Sequence, residues 1–172
     1  MDLIIGNLCS LFATIADVFS TSRKKVRDFL LFQCIGQAFY LLGTLVLKGY
    51  SAAVQNAVCI LRNLAAVKNI KSKVLEWALV VIALVLGLVF NNMGWLGLLP
   101  VVANFQYSLA VFRFKDREVP LKISFLLNVV MYMVFNFAIR NYVGSATNAF
   151  LIFSTIWFLV KHQKEKEKEV EV

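Results

Sequence analysis

Charge is scarce in this sequence, histidine is almost missing and proline occurs twice. Only 16% of the 172 residues are charged, against about 25% in soluble domains. The one histidine, His162, sits in the C-terminal tail, so a histidine metal site and histidine general-base catalysis both lack their groups. No glycine-rich phosphate loop of the Walker type occurs, which excludes ATP drive within this chain. Carboxylates are not paired at matched depth. Cys9, Cys34 and Cys59 lie far apart inside apolar runs with no CxxC spacing and read as buried thiols. These absences argue against an enzyme, a resident cofactor and a metal centre.

What fills the space is hydrocarbon. Hydrophobic residues make up 60% of the chain, against roughly 45–50% in soluble domains, and a soluble globule of this size has too little interior to hide them. The apolar runs are continuous, unlike the alternating strands of a membrane β-barrel. The sequence therefore predicts an all-α integral membrane protein. Seven runs are expected as spans: Leu3–Ser20, Phe29–Leu47, Ser51–Val67, Val74–Phe90, Gly94–Phe112, Leu121–Ile139 and Val143–Val160. At roughly 20 residues each they use about 140 residues, leaving no room for a large extramembrane catalytic domain. No basic residue precedes the first run, and no clear small-residue cleavage site follows it, so it is expected to remain as a span. The Lys/Glu tail 161–172 reads as a solvated helix end or disordered segment.

The basic residues are distributed very unevenly. If the N-terminus is outside and the spans alternate, one side receives 15 Lys and Arg, from Arg23 to Lys168, and the other only Lys48 and Arg140; Arg62 lies within a span. By the positive-inside rule the 15 face the cytoplasm. The net charge of +8 is then topology and does not call for nucleic acid.

The chain also resembles itself at an offset of about 92 residues. Tyr40 aligns with Tyr132, Lys48 with Arg140, Tyr50 with Tyr142, Asn56 with Asn148, Ala57 with Ala149 and Ile60 with Ile152; with a one-residue slip, Gly6 meets Gly97 and Lys24 meets Lys115. Spans one to three (1–70) thus pair with spans five to seven (93–160). The linker span (71–92), apolar from Trp77 to Phe90, lies between them. One intervening span gives the two units the same orientation, a parallel repeat about an axis along the membrane normal.

This 3+1+3 plan resembles the SWEET, semiSWEET and PQ-loop superfamily of small-solute carriers, and the whole chain is similar to the YgjV-type bacterial inner-membrane proteins near it. The resemblance rests on Leu41-Leu42-Gly43-Thr44, on Ser51 through Asn56, on Leu98-Leu99-Pro100-Val101 and on Phe112-Arg113 with Lys115. There is no Pro-Gln pair, and of the prolines only Pro100 lies in a span, so the four-proline hinge set of sugar-carrying SWEETs is missing. The resemblance implies an inner-membrane carrier or facilitator moving a small polar solute (sugar-, nucleoside- or vitamin-like) by alternating access. A non-transporting receptor or lipid-interacting accessory protein of the same fold is the rival reading. Membrane lipids are expected partners, and a homo-oligomer stays open.

Polar groups inside a bilayer are costly and turn toward a bundle interior or cavity. In span three, Gln55, Cys59 and Arg62 fall at i, i+4 and i+7, and Asn56 and Asn63 are seven apart, which predicts one inward face. Span seven answers with Asn148 and Thr155. Asn56 and Asn148 lie at similar depth, roughly 8 Å inside. They match the asparagines that line the solute site in SWEET-like carriers, although amides of this kind also serve purely as interhelical hydrogen bonds. Asn104, Gln106, Asn128 and Asn136 either extend that lining or pack helices. Arg62 costs about 2.5–3.5 kcal/mol at mid-span, and Asp17, at similar depth, is its expected salt-bridge partner. The pair would serve as a structural clasp, a cytoplasmic gate or proton-linked switch, or an anion site. Pro100 is a candidate hinge, Trp77 and Trp95 are expected interfacial anchors, and Gly36 with Gly43 should let a neighbouring helix approach closely.

Overall fold

A computed structural model describes residues 1–70, 72–114 and 117–170, with side chains given through residue 163 in the last helix. Lys71, Lys115, Asp116 and the last two residues of the tail lie outside the described residues, as do the side chains of 164–170. The described residues form seven helices: α1 (Asp2–Thr21), α2 (Val26–Val46), α3 (Tyr50–Val67), α4 (Lys73–Val89), α5 (Trp95–Arg113), α6 (Glu118–Ala138) and α7 (Tyr142–Val170). No strand occurs among the described residues. Connections of three to five residues join them, short enough that neighbours in sequence pack antiparallel. The helices extend beyond the apolar runs where charged residues continue the helix: α2 takes in Arg27 and Asp28, and α6 takes in Glu118.

Among the described residues, five helices are long and apolar enough to cross a membrane: α1, α2, α5, α6 and α7 up to Gln163. The other two of the seven expected spans fall short for separate reasons. α3 is diluted by Gln55, Asn56, Arg62 and Asn63, whereas α4 is strongly apolar but has only 17 residues. Both are within the rough 17–25 residues that a span uses.

The packing is inside out relative to a soluble protein. The interior holds Ser10, Gln33, Ser51, Gln55, Asn56, Arg62, Asn63, Asn104, Asn136 and Asn141, each at most 3% exposed. Leucine, isoleucine, valine and phenylalanine cover the outside, and Trp77 and Trp95 are 58% and 71% exposed. Hydrocarbon provides no drive to bury apolar side chains, so close packing and hydrogen bonds between helices hold such a bundle together. Glycines set the closest approach. A Cβ at Gly43 would sit 3.0 Å from the Gly6 carbonyl oxygen of α1, and one at Gly36 would sit 2.6 Å from the Asp17 carboxylate. The close α1–α2 approach expected from Gly36 and Gly43 is therefore present.

α1 packs on α2 and α7, α3 packs on α2, α4 and α5, and α6 packs on α5 and α7. Of the extensive helix packings, the two that join α1–α3 to α5–α7 correspond: α1 to α7, and α5 to α3. The turns correspond as well. After α2, Lys48 adopts a left-handed conformation, Lys48 N–H donates to Leu45 O and Gly49 N–H to Thr44 O; after α6, Arg140 is left-handed, Arg140 N–H donates to Phe137 O and Asn141 N–H to Asn136 O. These are the same Schellman-type caps at positions 92 residues apart. An asparagine distant in sequence latches each turn: Asn92, at the end of the 71–92 segment, donates to Lys48 O, and Asn7 of α1 donates to Arg140 O.

Candidate functional site

Between α1, α2, α3, α6 and α7 lies a cavity of about 410 Å³ outside the atoms, its mouth included. Its free width suits water or a small polar group and is too tight for a hexose without movement. Asp17 comes from α1; Gln37, Tyr40 and Thr44 from α2; Asn56 from α3; Asn128, Tyr132 and Asn136 from α6; and Asn148 from α7. Gln37, Tyr40 and Thr44 share a helix face because they are spaced i, i+3, i+7. Phe125, Val129 and Leu151 supply the apolar wall. They continue into a cluster with Phe29, Leu30, Tyr107, Val111 and Leu121 at the end of the bundle that carries the basic residues, and the Phe125 ring meets Phe29 edge-on at 5.6 Å. That end of the cavity is closed by packed hydrocarbon.

The polar lining is only partly satisfied. Thr44 Oγ1 donates to Tyr40 O at 2.7 Å, and Asn56 Nδ2 donates to Thr44 Oγ1 at 3.4 Å. Gln37 Oε1, Tyr40 Oη, Tyr132 Oη and Asn148 Nδ2 are buried without a hydrogen-bond partner. The Tyr40 hydroxyl is turned toward Asp17, Thr14 and Thr147 but reaches none of them with hydrogen-bond geometry. Buried polar atoms in folded proteins are nearly always paired. Four unpaired ones, donors and acceptors together, surround this single cavity and leave hydrogen-bonding capacity along its wall.

A second polar cluster lies between α3 and α5 and is closed on itself. Asn104 is its hub: its Oδ1 accepts from Arg62 Nη1 at 2.6 Å and from Cys59 Sγ at 2.8 Å, while its Nδ2 donates to Gln55 Oε1 at 2.6 Å. Gln55 Nε2 donates to Ala83 O of α4. Arg62 also donates from Nε to Asn63 Oδ1 and from Nη1 to Ser108 Oγ, and its guanidinium lies 4.6 Å from the centre of the Tyr107 ring. Asn63 Nδ2 and Tyr107 Oη both donate to Gln33 Oε1 of α2.

The expected Asp17–Arg62 salt bridge is therefore not formed. Matched depth and opposite charge suggested it, but the rotation of each helix about its axis decides otherwise. Arg62 turns to α5, and Asp17 turns into the cavity, where its carboxylate packs over Gly36. The ion pair within 4 Å among the described residues is Lys122–Glu118, at 3.3 Å. Lys122 read as a loop cation in the sequence, yet it is 3% exposed. Its Nζ donates to Thr21 O of α1 and lies 3.0 Å from the centre of the Phe158 ring of α7.

Of the residues expected to bind solute, Asn56, Asn128 and Asn148 line the cavity, and Asp17 joins them. Cys59, Asn63 and Asn104 do not; they are committed to the Arg62 cluster. Thr155 is buried with an unpaired hydroxyl, away from the cavity. Pro100 is buried inside α5, which runs through it, and takes no part in the lining. Gln106 bonds to Ser124 across α5 and α6. The sequence reading passed over Gln37 and Thr44 as candidates and used Tyr40 and Tyr132 only as repeat markers. The signal was available: Gln37 and Thr44 flank Tyr40 on one helix face.

A model of one protein family, bacterial inner membrane proteins of the Imp-YgjV type, matches residues 4–166. The chain belongs to this family. Imp-YgjV membership places it in the bacterial inner membrane, consistent with five helices able to cross one. No curated protein and no solved structure is significantly similar to it.

Proposed function

We propose that this Imp-YgjV protein is a secondary carrier or facilitator that moves a small polar solute across the inner membrane by alternating access. One observation carries the reading. Four unpaired polar atoms converge on a cavity whose walls include Tyr40 and Tyr132, Thr44 and Asn136, and Asn56 and Asn148. Each of these pairs is separated by 92 residues, the offset at which the sequence resembles itself, which supports a two-fold axis through the cavity. The matching caps at Lys48 and Arg140 and the matching α1–α7 and α5–α3 contacts support the same axis.

On this reading all seven helices span the membrane. α1–α3 and α5–α7 are parallel repeats, and α4 is the linker that keeps them in one orientation. The basic end, with Arg23 to Arg27, Lys68, Arg113 and Lys161, faces the cytoplasm. Rocking of one repeat against the other would open the cavity first to one side and then to the other. The apolar cluster of Phe29, Leu121 and Phe125 is the cytoplasmic barrier that has to part.

Uptake into proteoliposomes tests this. A panel of radiolabelled sugars, nucleosides and vitamin-like solutes should contain at least one whose entry is protein-dependent and saturable. Protein-dependent entry of none, with the protein folded and inserted, contradicts the reading.

A further inference from the structure

The cavity lining contains one side chain with a full charge, Asp17. It is 4% exposed, about one turn from the end of α1, and no cation lies within ion-pair distance. The titratable groups that approach it from neighbouring helices are Tyr40 of α2, Tyr107 of α5 and Tyr132 of α6. The Arg62 guanidinium is taken up by Asn63, Asn104, Ser108 and the Tyr107 ring. Of the three tyrosines, Tyr107 donates to Gln33. An unpaired carboxylate inside a bilayer is costly, so a positive species has to neutralise it.

Two further features specify that species. The carboxylate shares the cavity with the aromatic rings of Tyr40, Phe125 and Tyr132, and ring faces attract ammonium groups. The unpaired Gln37 Oε1 and the two tyrosine hydroxyls accept or donate hydrogen bonds nearby. A carboxylate, aromatic side chains and acceptors around a narrow space are the chemistry of organic-cation recognition. An anionic solute would find no cation in the lining.

We propose that Asp17 makes this cavity a site for a small organic cation of single positive charge, and that a proton occupies the carboxyl when the cation is away. Gly36 is a positioning residue for it, since any Cβ there would strike the carboxylate. If transport occurs as proposed above, cation and proton exchange on the same oxygen atoms.

The test reads the carboxyl directly and needs no transport. Dicyclohexylcarbodiimide reacts with a protonated carboxyl. The acid proton passes to a carbodiimide nitrogen, the carboxylate oxygen bonds to the central carbon, and the O-acylisourea rearranges to a stable N-acylurea. No atom leaves, so the intact mass rises by one reagent molecule. The purified protein in detergent should acquire one adduct, located at Asp17 by peptide mapping, and Asp17→Asn should acquire none. Choline or tetramethylammonium, at ten times its dissociation constant, should slow labelling about tenfold by mass action. Neohexyl alcohol, the uncharged isostere of choline, should leave the rate unchanged. An unlabelled Asp17 would overturn the proposal, as would labelling indifferent to both cations. A protein that passes here and moves no solute retains the cation site and loses the carrier reading. A protein that carries a neutral solute and fails here does the reverse.

Discussion

Asn104→Leu is expected to destabilise the protein by about 3–4 kcal/mol, more than removal of Arg62 itself. Asn104 Oδ1 accepts from Arg62 at 2.6 Å, and its Nδ2 donates to Gln55 at 2.6 Å. A hydrogen bond to a charged group contributes about 1.5–3 kcal/mol and a neutral one about 1. The leucine variant loses both and leaves a buried guanidinium with fewer acceptors. Arg62→Met leaves the Asn63 acceptor unpaired and Asn104 Oδ1 with Cys59 alone, but it also removes the cation, whose insertion costs about 2.5–3.5 kcal/mol. Its net effect should be about 0–1.5 kcal/mol by the same terms. The double variant should therefore be more stable than Asn104→Leu alone, with a coupling of about 2 kcal/mol in the double-mutant cycle. Unfolding titrations in mixed detergent would measure this. Additive effects would mean that Arg62 does not depend on Asn104.

The paired substitution Asn56→Ala with Asn148→Ala should behave in the opposite way, with uptake collapsing and stability nearly unchanged. Asn148 Nδ2 has no partner in the protein, and Asn56 makes only a long bond to Thr44. Losing them costs the fold little; deleting a buried unpaired donor removes a penalty. If each amide gives the solute one hydrogen bond of about 1–1.5 kcal/mol, the pair supports about a hundredfold in transport efficiency. Both quantities should be measured on one preparation: initial uptake rate and unfolding midpoint. Uptake indifferent to both changes would remove the site assignment. An equal loss of stability would make the amides structural ties.

The sequence carried the elements well because they are written in runs of hydrocarbon, and each expected run lies within a few residues of a helix. Where boundaries moved, as at Val26 and Glu118, charged residues at the membrane edge extend the helix while ending the apolar run. The 92-residue offset picked out Lys48 and Arg140, which proved to occupy the same left-handed cap position. Inward-facing residues were also legible, since Gln55, Asn56, Cys59, Arg62 and Asn63 are all buried.

What helical spacing does not encode is which interior a polar face meets. Asn56 and Asn63 lie on nearly the same stripe of α3, yet one lines the cavity and the other binds Arg62. Depth and charge alone joined Asp17 to Arg62; a helix rotation separates them. Lys122 failed for another reason. Its long apolar stem lets the ammonium reach Thr21 O and the Phe158 ring from within α6, so a residue that counts as a loop charge is part of the packing.

The central claim is that the cavity opens to either side of the membrane in turn. Asn148→Cys, made with Cys9, Cys34 and Cys59 replaced by alanine, places one thiol at the cavity wall. A membrane-impermeant thiol reagent added to right-side-out and to inside-out vesicles reads its exposure on each face. The account predicts labelling from both sides, slowed by the transported solute. Labelling from neither side, or from one side only, would contradict it.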